Sequence, residues 1–240
     1  MNLLQVRTKF RELSGRFDLV NADFSNNGAD FFINEGRKFL DRLDTNQKSF
    51  ASCFRFIEAG FYAASIPYSR AIKEVWASTA SARWKLEKMN LSDLITDYLT
   101  GLPSSRSTGT PLYYSPTITR YIPENETADS FESFIGTVEI PSGNAHEYNT
   151  ILLNVPVSEK TVVDIKGLYY SKELVEETDL SYWTVVHPML LIMAAMRQTE
   201  IINRNTQGVN DWTNAIAVDI KQLGMDYIEE VIAEVTSIGD

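Results

Sequence analysis

Few residues in this 240-residue chain could do covalent chemistry, and those few are scattered. There are two histidines and one cysteine. His146 lies in the loop-like stretch "PSGNAHEYN" beside Glu147. That pair could be an acid/base or metal fragment, but no second histidine stands at ligand spacing. His187 precedes Pro188 and reads as a polar capping residue at a helix start. Cys53 has strand-like neighbours and reads as a small buried side chain, not a nucleophile. The pairs Glu176-Glu177 and Glu229-Glu230 read as solvated helix surface, because an acid/base pair needs a cleft that drives two pKa values apart. "SSRSTGT" has hydroxyls and an arginine but no strand-to-helix context, and no nucleophile elbow, phosphate loop or dinucleotide fingerprint occurs. The expectation is a protein that is not an enzyme and uses no cofactor or metal.

The elements that would position such residues come from composition and periodicity. Hydrophobic residues make up 44% and aromatics 11%, enough to bury a core. The net charge of -10 excludes tight nucleic-acid binding by the surface as a whole. Residues 171–240 account for most of it, with four basic and twelve acidic side chains. A single cysteine excludes an intrachain disulfide. No signal peptide is expected. The apolar run "MLLIMAAM" is far shorter than the roughly 20 residues of a membrane span and reads as a buried core helix.

The spacing of Leu3, Val6, Phe10 and Leu13 predicts a helix over residues 2–14, stopped by Gly15. A second helix follows, with Asn27 as its N-cap and Asp30 in its first turn. Its apolar stripe, Phe32, Gly36, Phe39, Leu40 and Leu43, contains a glycine that costs up to about 1 kcal/mol against alanine. Close approach of another helix or another subunit would justify it.

From Phe50 onward the pattern alternates. Phe50, Ser52, Phe54 and Phe56 share one face of a strand, and Ala82, Trp84 and Leu86 another. "TITRYI", "IGTVEI", "TILLNV" and "TVVDIKGLYY" read as further strands, the last two joined as a hairpin near Ser158–Lys160. Helical periodicity returns at Pro188 and again at Trp212, Ile216, Ile220, Leu223, Tyr227 and Val231. The expected fold is α+β: an antiparallel helical bundle of N- and C-terminal helices with an inserted β-rich module. Its parts are residues 1–45, 46–177 and 178–240.

Three stretches together carry a resemblance: "RELSGRFDLVNADFSNNGADFFINEGRKFLDR", "IPYSRAIKEVWASTASARWKLEK" and "LSYWTVVHPMLLIMAAMRQTEIINRNTQGVNDWTNAIAVDIKQL". In this order they resemble the head-to-tail adaptor proteins of tailed bacteriophages, also called head-completion or neck proteins. Residues 100–150 lie outside the match. The resemblance implies a helical bundle with a β elaboration. It also implies a ring of copies, usually twelve, that sits under the capsid portal, extends the DNA channel and docks tail proteins. It places the chain in the virion neck, after synthesis in the bacterial cytoplasm, with portal, tail proteins and other copies of itself as partners. DNA would pass without specific binding, and no membrane is involved.

Within that frame Phe31, Phe32, Gly36 and Phe39 are candidates for subunit packing. Tyr227, Ile228, Val231, Ile232 and Val235 are candidates for the portal contact. Asp219, Asp226, Glu229 and Glu230 are candidates for an acidic channel wall that DNA phosphates would slide past. The rival readings are a tail-side neck or connector protein, a small hydrolase built around His146 and Glu147, and a host-binding module. The last would present an aromatic patch at Tyr113, Tyr114 and Tyr121.

Overall fold

The computed structural model describes residues 1–44, 50–100, 106–118 and 149–237, with side chains in the last helix as far as Gly224. The chain divides into two compact units, Met1–Ser49 with Tyr170–Asp240, and Phe50–Tyr169.

In the first unit, α1 (Leu3–Ser14) begins at a reciprocal cap. The Asn2 side chain accepts from Gln5 N and the Gln5 side chain from Asn2 N, each at 3.0 Å, which satisfies two otherwise orphan donors. Gly15 ends α1 at φ +67°, where a side chain would be strained. α2 (Ala29–Leu43) starts from Gly28, not from the expected Asn27. Asn26 does the capping, its Oδ1 accepting from Asp30 N at 3.1 Å, while Asn27 donates to Asp18 O. Labels α4 to α6 belong to Tyr182–Val185, Pro188–Ile202 and Thr206–Ser237.

Helix α5 organises this unit. Leu190, Leu191, Ile192, Ala194 and Ala195 point in several directions around it and are all buried. Helices α1, α2, α4 and α6 each pack against it. α2 crosses it at Gly36, where an added Cβ would lie 2.7 Å from Ala195 N and 2.9 Å from Ala194 C. The glycine notch therefore serves an approach between two helices of one chain, backbone against backbone.

The second unit is a mixed sheet with its own core. Its strands are β1 (Phe50–Ile57), β2 (Ala63–Ser65), β3 (Ser69–Ser78), β4 (Arg83–Lys88), β5 (Tyr113–Ile118), β6 (Asn149–Leu153) and β7 (Thr161–Tyr169), in the order β1-β7-β3-β4-β5-β6-β2. All pairs are antiparallel except β4–β5. The two terminal strands come together, with Arg55 Nε of β1 donating to Ser65 O of β2 at 2.9 Å, so the sheet nearly closes. Val75, Leu86, Ile151, Val163 and Ile165 fill the inside, and Leu94 of α3 (Leu91–Tyr98) packs with them.

These observations correct the expected fold class. The chain is a mixed α/β protein with a seven-stranded, nearly closed sheet and, among the described residues, six helices. It is not an antiparallel bundle elaborated by a β module. A bundle shares one core among amphipathic helices of equal standing, whereas here the others surround one helix that is apolar on most of its sides. The sheet carries an independent core.

The expected β6–β7 hairpin is absent as well. β6 pairs with β5 and β2, and β7 with β1 and β3. The connection between them is used for other pairings. Asn154 Oδ1 accepts from Leu112 N and Tyr113 N, and Val157 N donates to Phe61 O. The expected strand "IGTVEI" lies outside the described residues.

Gly36→Ala should destabilise the protein by about 1–3 kcal/mol, the usual cost of overpacking, because the clash meets backbone atoms that cannot swing aside. This outweighs the helix-propensity gain of up to about 1 kcal/mol. Urea unfolding of the two proteins measures the difference, and an unchanged or raised midpoint would remove the close-approach explanation.

Candidate functional site

The surfaces of the helical unit are set by a strap, residues 170–181, which runs without regular structure before α4. Such a segment has no ladder for its backbone groups, so side chains must supply partners. Asn34 of α2 does so twice, accepting from Leu174 N at 3.0 Å and donating to Leu174 O at 2.8 Å. Asp41 Oδ2 accepts from Ser171 N and Oγ, and its Oδ1 accepts from the indole N–H of buried Trp183 at 2.7 Å. Arg37 donates to Ser171 O. Arg7 forks onto Asp30 with both bonds at 2.8 Å and reaches Glu177 and Phe24 O. Both partners draw its guanidinium further toward the charged form, Asp30 most strongly.

In return the strap caps α1. Its carbonyls at Asp179 and Glu177 accept from Leu3 N and Leu4 N, and Thr184 O accepts from the terminal amine of Met1. Asp179 holds the strap's own turn, taking Val175 N and Glu176 N at 2.9 Å and Lys172 at 3.1 Å. Those backbone donors, with Lys172 second to them, pull its carboxyl down to about 2.

Two apolar surfaces remain uncovered. On α4 and the first turn of α5, Tyr182, Val185, Val186 and Met189 lie at helical spacing and are each more than half exposed, with Leu180 beside them. On the sheet, the outward face of β1 presents Phe50, Phe54 and Phe56, the last two 61% and 59% exposed. Phe54 shares a cross-strand row with Asp164 and Trp76. Cations sit on three of these rings: Lys73 over Phe50, Lys160 over Phe56, and Arg83 with Lys85 over Trp76, at 5.1–6.0 Å from the centroids. Such surfaces suit contacts with other macromolecules.

The sequence-based candidates fall in several places. Phe32 and Gly36 are spent in the core of the helical unit, and Phe39 lies under the Arg197 guanidinium at 4.0 Å. Phe31, 60% exposed, meets Phe32 edge-on. Asp219 is half-buried on α6. The side chains of Asp226, Tyr227, Ile228, Glu229, Glu230, Val231, Ile232 and Val235 lie outside the described residues, as do His146, Glu147 and Tyr121. Tyr114 belongs to the sheet core, which burial also marks by raising its phenol pKa.

His187 stands at the N-cap of α5 but makes no capping bond there. Its ring lies against Tyr182 and Trp183, so the capping role expected of it is not realised. The α4 stripe escaped the sequence reading because it runs straight into the buried apolar helix. Its one signal was the 182, 185, 186, 189 spacing.

Among the described residues no group of three or more His, Cys, Asp or Glu side chains is placed to hold a metal, and no helix is long and apolar enough to cross a membrane. No protein-family model matches the sequence, and a search of curated proteins finds no match.

The Asp179 turn gives a pH signature. Its carboxyl titrates lower when folded, so its contribution is complete above the ordinary carboxylate value of 3.8 and is lost as pH falls toward about 2. Asp179→Asn should melt below the parent at pH 7, with the gap closing between pH 4 and pH 2. Parallel melting curves across that range would contradict the assignment.

Proposed function

We propose that this protein is a structural virion component, an adaptor ring between the capsid portal and the tail that extends the DNA channel and docks tail proteins. The observation that carries this reading is the exposed apolar surface on both units: Tyr182, Val185, Val186 and Met189 on one, Phe50, Phe54 and Phe56 on the other. Large side chains left in water at this density are suited to assembly, and the three resembling stretches name the kind of assembly. The first of the two surfaces lies inside the third stretch. The mixed α/β architecture differs from the bundle the resemblance implies, so the assignment leans on those stretches and on surface chemistry, not on topology.

In this reading the portal templates the ring, copies pack side by side, and the completed ring recruits the tail. The C-terminal segment with Tyr227, Ile228, Val231, Ile232 and Val235 meets the portal. Carboxylates of the last helix, Asp219, Asp226, Glu229 and Glu230, face the channel, where they repel phosphates and let DNA slide.

Negative-stain imaging and light scattering of the chain mixed with portal rings from the same genome test this. The expected outcome is a ring stacked coaxially on the portal, with its copy number countable. No association in any buffer where both components stay folded would overturn the adaptor reading.

A further inference from the structure

The seven-stranded sheet parts at one end. β3 and β4 pair only from Val75–Leu86 to Ser78–Arg83, so β3 from Ser69 to Glu74 has no strand paired along that edge. β4 turns instead to β5 at Glu87 and Lys88, and β5 from Ser115 onward pairs with β6 alone. A wedge opens between the start of β3 and the far ends of β4 and β5. It encloses a cavity of about 330 Å³. The mouth of a closing sheet is a favoured place for a small-molecule site.

The backbone around the wedge is irregular. The register of β3 on β7 shifts between Ser69 and Ala71, which leaves Arg70 as a bulge, the device that re-aims a side chain next to a site. Just before it, Tyr68 holds φ +58°, a left-handed conformation strained for a residue with a side chain. Asn149 of β6 fastens the far wall to the near one, its Nδ2 donating to Ser69 O at 2.6 Å.

The chemistry of the walls is one-sided. Arg70 and Lys88 bring two cations, Ser69 and Thr117 two hydroxyls, and Ile72 and Pro116 an apolar side. Among the described residues no carboxylate lines the cavity, in a chain whose net charge is -10. Arg83 and Lys85 of the same strand are each paired with a carboxylate, whereas Lys88 is exposed and forms no ion pair among the described residues. Two cations with hydroxyl donors suit a doubly charged oxyanion. The cavity sits at the small end of the range for organic ligands, and its apolar side is one a bare ion would not use.

We propose that this cleft binds a small phosphomonoester, with the phosphate between Arg70 and Lys88 and the organic part against Ile72 and Pro116. The inference stands on the sheet unit alone and does not use the adaptor reading.

Isothermal titration of the full-length chain with glycerol phosphate, and separately with inorganic phosphate, tests it. The ester should bind saturably at one site per chain and more tightly than inorganic phosphate. Its affinity should rise as pH passes upward through about 6, where a phosphomonoester takes its second charge, and should fall with added salt. Lys88→Gln should weaken binding about tenfold or more, the usual loss when a charged hydrogen bond is removed. Lys88→Arg should keep most of the affinity. Lys85→Gln, which removes a cation that lies over Trp76 outside the cavity, should leave binding unchanged. All three variants are checked for unchanged melting in phosphate-free buffer.

Non-saturating heats, an equal loss in Lys88→Gln and Lys85→Gln, or inorganic phosphate binding as tightly as the ester would each overturn the proposal. A ring on the portal from a chain that binds no ester would keep the adaptor reading and remove this site. Ester binding with no portal association would do the reverse.

Discussion

Backbone contact between α2 and α5 is the constraint on which the helical unit is built. Two helices normally stay 8–10 Å apart because side chains lie between them. At Gly36 there is none, and the α5 side of the contact is Ala194 and Ala195. That closeness lets α5 be surrounded. α1 and α6 bury Leu3, Val6, Phe10 and Ile216 in the same core. It also places Asn34, Arg37 and Asp41 of α2 where they can hold the strap, whose carbonyls in turn cap the start of α1. Breaking one bond of a polar network buried this deeply leaves its partner unpaired at a cost, so the contact, the strap and the cap support one another.

The sheet solves a different problem. A nearly closed sheet has a narrow interior, which favours small and branched side chains. Val75, Ala77, Val163 and Ile165 fill much of it, Tyr62 and Tyr114 are the large rings admitted, and Phe50, Phe54 and Phe56 are left on the outside. Gly167 shows how tight the pairing is, since a Cβ there would lie 2.1 Å from Ala71 O, beside the register shift in β3.

This explains what could and could not be read from the residues. Local signals were legible. The 3–4 spacing of Leu3, Val6, Phe10 and Leu13, the stop at Gly15, the first-turn Pro188 and the alternation of β1 all correspond to observed elements. Side-by-side relations were not. Alternation places Phe50, Phe54 and Phe56 on one face but says nothing of which face is inside, because that depends on closure. "NVPVSEKTVVDI" has the pattern of a hairpin, yet its two strands find partners elsewhere in the sheet. The helical periodicities were right and the bundle was wrong, since a helix that is apolar all round specifies burial without specifying how many neighbours bury it. Of the candidate site, the notch at Gly36 was visible as a cost needing a reason. The α4 stripe was hidden by the buried residues that follow it.

The functional account joins these parts: a helical unit with an exposed apolar stripe on α4, a sheet with an aromatic outer face, and stretches that resemble phage neck proteins. Its central physical claim is that α2, α5 and the strap form a single cooperative structure. Native-state hydrogen exchange of the full chain tests this most directly. The account predicts that amides from Ile33 to Leu40 and from Leu191 to Met196 exchange with one common opening free energy, joined by the Leu174 amide held on Asn34. If the strap or α2 opened at much lower free energy than α5, the contact at Gly36 would not be the constraint on which the rest depends.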